Sequence, residues 1–191
     1  MIKNFPGKLV LVVGNSGSGK DSIIKGVKER YPSDLIKLCL TQRYITRPRS
    51  DTEDNISVTP EVFKIMSLQG EFVLEWHIYG LDYGVHIEID EWLKKGHPVL
   101  VNVSRSIVKK ARKIYQNIVV VFIDVPFEVS LKRVKERARE SGVRLEERIL
   151  RARQNQDIPD ADFIVDNSGD LEDAINEFLS YLIYVVYKKG I

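Results

Sequence analysis

The sequence predicts an α/β fold of three layers, α/β/α, with a parallel sheet at its centre. Three observations carry that expectation. Short apolar runs rich in Val and Ile alternate with segments whose apolar residues recur at helical spacing, as strands buried on both faces and joined by helices require. The 191 residues, 43% hydrophobic and 29% charged, have the size and balance of one globular domain, long enough to bury about two-thirds of its unfolded surface. No internal repeat, low-complexity tract or linker divides them.

Lys8 to Val13 is a β-branched run of strand length closed by Gly14. From Asp21 to Arg30, Ile23, Ile24 and Val27 recur at helical spacing, and Tyr31-Pro32 stops the pattern. Residues 35–40 form a second apolar run, and the polar stretch from Thr41 to Thr59 reads as an irregular connection. Thr59-Pro60-Glu61 opens a helix, with Thr59 as N-cap and Pro60 at its first position. Phe72–Tyr79 and Tyr83–Ile87 predict two extended pieces around a turn at Gly80-Leu81-Asp82, and Ile89–Lys95 a short helix ended by Gly96. Pro98–Val103 reads as a buried strand and Ser104–Tyr115 as a basic amphipathic helix. Ile118–Val125 is the most strand-like run, and Pro126 opens a helix through Leu131 and Val134 that grows highly charged. A second charged helix is expected from about Leu145 to Gln156, a last strand at Phe163–Val165, and a final helix reaching Tyr187.

Charge and composition exclude several functions. Lys plus Arg number 29 against 27 for Asp plus Glu, a net charge of +2, too even for a protein that coats nucleic acid. The single cysteine, Cys39, excludes an internal disulfide and a cysteine-rich zinc module. No stretch reaches the roughly 18 apolar residues of a membrane span, and the opening residues lack the apolar run of a signal peptide. A cytoplasmic setting is expected.

Chemistry enters with Gly14-Asn15-Ser16-Gly17-Ser18-Gly19-Lys20-Asp21-Ser22, which follows the first strand and opens the first helix. This is G-x-x-x-x-G-K in the context the motif requires. Glycines let the backbone wrap a polyphosphate and turn N–H groups inward, the helix start adds a positive dipole end, and Lys20 supplies a cation. The loop predicts a polyphosphate site and by itself does not separate a GTPase, an ATPase motor and a small-molecule kinase. Ser or Thr usually follows the lysine to help hold Mg²⁺. Asp21 stands there instead, with the hydroxyl one residue later at Ser22; these two are the metal candidates, acting through water. Asp21 reads equally well as a first-turn acid favoured by the helix dipole.

No Asn-Lys-x-Asp guanine motif marks a GTPase. Two arginine groups fit a small kinase, in which two anionic substrates must meet with water excluded. Arg43, Arg47 and Arg49 lie in the segment after the second strand, and Arg133, Arg137, Arg139, Arg144, Arg148 and Arg151 in the charged helices around Gly142. A planar, permanently charged fork binds phosphate oxygens bidentately. Each arginine of the second group reads equally as part of a solvated helix face, since Glu136, Glu140, Glu146 and Glu147 stand among them. As a group they fit a closing lid.

At these residues the sequence resembles the guanylate kinase-like branch of the nucleoside monophosphate kinases, and within it the ribose 1,5-bisphosphate phosphokinases of phosphonate breakdown. The resemblance is carried by Gly17-Ser18-Gly19-Lys20-Asp21-Ser22, Arg43-Tyr44-Ile45-Thr46-Arg47, Asp54-Asn55-Ile56-Ser57, Trp76-His77, Tyr83-Gly84-Val85, Val99-Leu100-Val101-Asn102 and Ser104-Arg105. Past residue 105 it thins to Arg133, Arg137, Arg148 and Val165-Asp166-Asn167. It implies one domain over 1–191, with a core at 1–40 and 97–191, an acceptor-binding insertion at about 41–96 and a helical lid at about 137–147.

The activity implied is transfer of the ATP γ-phosphoryl group, with Mg²⁺, to ribose 1,5-bisphosphate, giving 5-phospho-α-D-ribose 1-diphosphate and ADP. Lys20, Arg133, Arg137 and Arg148 would be catalytic, and residues 14–22 would bind ATP. Arg43, Arg47, Arg49, Glu75, Tyr83, Asn102 and Arg105 would bind the acceptor. The rival reading is a guanylate kinase or another nucleoside monophosphate kinase, and a further one a non-catalytic binding module of the same fold. By register Arg43 falls where guanylate kinases carry a guanine-reading hydroxyl, Asn55 where they carry a phosphate-binding tyrosine, and Asn102 where they carry a guanine-reading acid. An added cation suits a second phosphate better than a neutral base. Glu75 keeps the acid that guanylate kinases use on guanine. The partner expected is a small phosphorylated sugar or a nucleotide. Tyr181, Tyr184 and Tyr187 read as inward packing, with a homodimer contact as the alternative.

Overall fold

A computed structural model describes residues 2–48, 54–136, 150 and 160–187. Its packing divides the chain into two units, Met1–Leu11 with Ser33–Val119 and Val12–Pro32 with Val120–Ile191. A five-stranded sheet has the order β2-β7-β1-β8-β9, with β1 at Leu9–Gly14 and β8 at Ile118–Asp124. Leu9 to Val13 have no exposed surface, which is why β1 reads as an unbroken apolar run without alternation. β2 (Cys39–Leu40) pairs in parallel with β7 (Val99–Asn102), and β8 with β9 (Phe163–Asp166). Among the described residues no helix is long and apolar enough to cross a membrane.

In the second unit α1 (Lys20–Arg30) packs on the final helix, here α6 (Leu171–Tyr187). Gly26 allows the approach, since a Cβ there would collide with the Ile175 side chain. Phe163 stacks on Tyr181 at 4.0 Å, so that tyrosine packs within its own chain. α5 (Phe127–Glu136) follows β8 directly. The second charged helix and the lid at about 137–147 lie outside the described residues, as do Arg49, Arg137 and Arg148.

In the first unit a separate four-stranded sheet has the order β4-β3-β6-β5, all between residues 43 and 86. Its strands are β3 (Arg43–Ile45), β4 (Asn55–Ser57), β5 (Phe72–Ile78) and β6 (Leu81–His86). Two of these correct the sequence expectation, which takes the stretch from Thr41 to Thr59 as irregular. β3 and β4 are three residues each and carry too few apolar side chains to announce themselves; β3 is made by antiparallel pairing to β6, and β4 by parallel pairing to β3. The β5–β6 turn also moves from the expected Gly80-Leu81-Asp82 to Tyr79-Gly80, both at positive φ (55° and 72°), as a two-residue hairpin of the right hand demands.

Other boundaries shift by smaller amounts. The apolar run 35–40 forms strand only at Cys39–Leu40, and Ser104–Tyr115 begins as a 3-10 turn, Arg105–Ile107, before α4 (Val108–Ile114). α2 (Pro60–Leu68) starts as read, with the Thr59 hydroxyl accepting from the Val62 N–H at 3.3 Å. α3 (Ile89–Lys94) presents Asp90, 7% exposed, whose carboxylate accepts from the Tyr115 hydroxyl at 2.6 Å and pairs with the Lys3 ammonium. Burial, with Asp90 beside it, pushes the Tyr115 phenol well above its ordinary range.

Candidate functional site

The glycine-rich loop leaves β1 at Gly14 and enters α1 through Gly19, whose φ of 87° places it in the left-handed region. Gly17 has φ of 82°. Neither position admits a side chain even if strain were tolerated. A Cβ on Gly17 would lie 2.5 Å from the Ser130 carbonyl oxygen of α5, and one on Gly19 would collide with the Asn167 amide. Gly14 is closed in the same way by the Ile123 carbonyl and the Ser18 hydroxyl, each 2.7 Å from where a Cβ would stand. These glycines exist because backbone must come close.

The Lys20 ammonium reaches back over the loop. It donates to the carbonyls of Gly14 at 3.0 Å and Asn15 at 2.8 Å, and to the Ser18 hydroxyl at 3.4 Å. The loop is thus wrapped around its own cation, and Asn15 and Ser18 are buried in it. Asp21 is half-buried and Ser22 exposed on the first turn of α1. Arg133, on α5, brings its guanidinium to the same loop, with Nη2 donating to the Asn167 carbonyl at 3.4 Å and Nη1 lying 3.8 Å from the Cβ position of Gly19. Of the arginines expected in the lid, this is the one within the described residues.

Asn167, just past β9, is a residue that sequence reasoning leaves out of the site. It is 2% exposed; its Nδ2 donates to the Ser18 carbonyl at 2.7 Å and its own N–H donates to the Asp124 carbonyl at 2.9 Å. Its position in Asn167-Ser168-Gly169 reads as turn chemistry. Only a strand ending beside β8 brings it to the loop. Beside it, Asp166 is held below the usual carboxylate range by hydrogen bonds from the Ser168 hydroxyl and backbone.

The acceptor candidates belong to the first unit, and the register of the small sheet sorts them by face. Arg43 pairs with Val85 and with Asn55, and Val85 with Leu74; Ile45 pairs with Tyr83, and Tyr83 with Trp76. Paired residues and alternate positions share a face, so Arg43, Asn55 and Tyr83 lie on one side. Glu75 and Tyr44 both pair with Gly84 and lie on the other. Arg43 Nε donates to Asn55 Oδ1 at 3.1 Å, aiming the half-buried guanidinium along the strand pair. Tyr83 is 8% exposed and stacks on Trp76 at 5.3 Å with rings 5° from parallel. Glu75 accepts a hydrogen bond at 2.7 Å from the Ser67 hydroxyl of α2, which covers that face through Phe63 stacked on Phe72 at 4.6 Å. The structure therefore brings Arg43 together with Asn55 and Tyr83, and sets Glu75 apart from them.

Three further candidates end other elements of the same unit. Half-buried Arg47 follows β3, Asn102 ends β7, and Arg105 opens the 3-10 turn, capped by Ser104, against which β5 packs. His77 pairs with Asp82 at 2.7 Å and His86 lies 3.7 Å from Glu71. Among the described residues no group of three or more His, Cys, Asp or Glu side chains could hold a metal ion.

Comparison with known proteins identifies the family and the fold. The guanylate kinase family model matches residues 6–183. A protein of Pseudomonas paraeruginosa named ribose 1,5-bisphosphate phosphokinase PhnN is 37% identical over 92% of this chain and 95% of its own length. Its namesake in Rhodopseudomonas palustris is 40% identical over 77% of this chain and 75% of its own length. Among solved structures, the guanylate kinase of Anaplasma phagocytophilum superposes with a TM-score of 0.68 at 18% identity, covering 98% of this chain and 90% of that one, which establishes a common fold. The chain belongs to the guanylate kinase family of P-loop kinases, in the branch of the ribose 1,5-bisphosphate phosphokinases.

Proposed function

We propose that the protein transfers the γ-phosphoryl group of ATP to the 1-phosphate of ribose 1,5-bisphosphate, releasing 5-phospho-α-D-ribose 1-diphosphate and ADP. One observation carries the choice of acceptor. A guanidinium, Arg43, stands on β3 with its direction fixed by Asn55 at 3.1 Å, in a chain whose relatives of that name match it along most of its length. A fixed fork of donors suits a phosphate, two of whose oxygens it can meet at once.

The chemistry asks little of the protein beyond placement. A phosphate monoester has a second pKa of about 6, so its oxygen is already a nucleophile near neutral pH and no general base is required. A new O–P bond forms as the bond from γ-phosphorus to the β-bridging oxygen breaks, and ADP leaves with that oxygen. Lys20 neutralises charge on the donor's phosphates, with its three loop partners exchanged for phosphate oxygens. Arg133 adds a second cation at the loop. Asp21 and Ser22 would orient the water around Mg²⁺, which screens the phosphates from one another. Arg43, Arg47 and Arg49 would hold the acceptor's phosphates, with Tyr83, Asn102 and Arg105 shaping its site. ATP supply and the lone thiol of Cys39 fit a cytoplasmic enzyme.

Glu75 favours a second reading, in which the acceptor is GMP. Its carboxylate is held by Ser67 at 2.7 Å, a pair able to meet the donors of a guanine edge. ADP release measured side by side with ribose 1,5-bisphosphate, GMP, AMP and buffer alone separates the readings. Turnover with the sugar bisphosphate alone is expected. Turnover with GMP in its place overturns the proposal, and the absence of turnover with every acceptor would make the protein a binding module of this fold.

A further inference from the structure

We propose that Asn167 is a positioning residue for the donor's phosphates, aiming one backbone N–H of the glycine-rich loop and steadying Arg133. The inference rests on the loop's taking a polyphosphate, and not on which acceptor follows.

Three hydrogen bonds meet at this residue. Its own N–H donates to the Asp124 carbonyl at 2.9 Å, which fixes it to the end of β8. Its Nδ2 donates to the Ser18 carbonyl at 2.7 Å, and its carbonyl accepts from Arg133 Nη2 at 3.4 Å. In a trans peptide the carbonyl and the following N–H point in opposite directions. Holding the Ser18 carbonyl toward Asn167 therefore turns the Gly19 N–H away from it, toward the side on which the loop can receive an anion. The amide sits so close over Gly19 that any side chain there would collide with it. Asn167 and Gly19 are one fitted pair.

The other end of the amide supports a functional reason for this residue. Asn167 Oδ1 is buried without a hydrogen-bond partner among the described residues. A position selected for stability alone would shed a buried acceptor that no described residue satisfies. Asn pays that cost to present a donor of the right reach to Ser18. An amide also carries no charge, so it adds no negative field where the donor's phosphates lie.

Two substitutions test this with binding alone, using titration calorimetry and the probes AMP, ADP and inorganic tripolyphosphate. Asn167→Ala should weaken ADP and tripolyphosphate at least tenfold and leave AMP within twofold. Asn167→Asp keeps the volume but, when ionised, turns an oxygen toward the Ser18 carbonyl. Its protonated form regains a donor, and burial raises the pKa at which that happens. The ratio of Asn167→Asp to the unchanged protein, taken at each pH to cancel the ligand's own protonation, should approach one near pH 5 and exceed tenfold at pH 8. A ratio flat with pH, or equal losses for AMP and tripolyphosphate, would overturn the proposal. If Asn167→Ala unfolds at the assay temperature, the isosteric Asn167→Asp decides alone. Failure of the acceptor assay above leaves these measurements untouched.

Discussion

The glycine-rich loop and the four-stranded sheet make their sites in opposite ways. The loop is nine consecutive residues, Gly14 to Ser22, and its defining contacts, Lys20 to Gly14, Asn15 and Ser18, span six positions at most. The sheet assembles Arg43, Asn55 and Tyr83 from three strands, and sorts Glu75 to the other face only through the pairing of β5 with β6. On the proposed function, local geometry fixes what kind of group is bound in the first case. On the same proposal, long-range register fixes which acceptor is read in the second. Reaction class and substrate choice should therefore break separately.

The largest effect is expected at Lys20. Replacing it with Ala removes the cation that the loop surrounds and should lower kcat by 10²–10³, about 3–4 kcal/mol of barrier. Steady-state rates at saturating donor and acceptor measure this, with a thermal melt showing the fold retained. The loss should be the same for every acceptor that turns over. A loss confined to one acceptor would place Lys20 in substrate choice and erase the distinction between the two regions.

Arg43→Ser comes next and runs the other way. A charge-assisted hydrogen bond contributes about 1.5–3 kcal/mol, so kcat/KM for ribose 1,5-bisphosphate should fall roughly tenfold to a hundredfold. The Kd for ATP, read by calorimetry, should stay within twofold. Equal loss of both would mean that Arg43, bonded to Asn55 across the strand pair, serves the sheet and not the acceptor.

The same contrast explains what could be read in advance. β1, β8, α1 and the loop declare themselves because burial on both faces leaves unbroken Val and Ile runs, and because positive φ demands glycine at 17 and 19. β3 and β4 stay hidden because Arg43-Tyr44-Ile45 and Asn55-Ile56-Ser57 hold no apolar alternation long enough to see, and owe their structure to partners up to 42 positions away. Asn167, quoted in the sequence only as part of a resemblance, is left out of the site for the same reason, since its partner Ser18 is 149 positions off. The loop could be read from neighbouring residues; Arg43 and Asn55 could be named by resemblance, but the strands that carry them could not be read.

A smaller effect separates stability from both sites. Tyr115→Phe leaves the Asp90 carboxylate, 7% exposed, without the hydroxyl that donates to it at 2.6 Å. Such a loss costs about 1–3 kcal/mol, read as a lower denaturant midpoint. The pH dependence has a definite sign. The folded phenol titrates above its ordinary range, so its contribution is fully present below the unfolded value of about 10 and is lost as pH rises beyond it. The gap between parent and variant should therefore narrow above about pH 10, while KM for ATP stays put at neutral pH.

The finest probe of the comparison is the start of α2. Thr59 caps that helix by accepting from the Val62 N–H at 3.3 Å, and α2 in turn carries Ser67 to Glu75 and Phe63 to Phe72. Thr59→Ala removes the cap at a cost of about 1 kcal/mol. No residue of the glycine-rich loop is altered, so calorimetric affinity for ADP should be unchanged. What the substitution does to the acceptor then reports on the face that α2 covers. If Glu75 takes no part in binding, kcat/KM for the sugar bisphosphate should shift by less than twofold, as Arg43 and Asn55 lie on the opposite face. A fall of fivefold or more would bring Glu75 back into the acceptor site and strengthen the claim of a purine substrate.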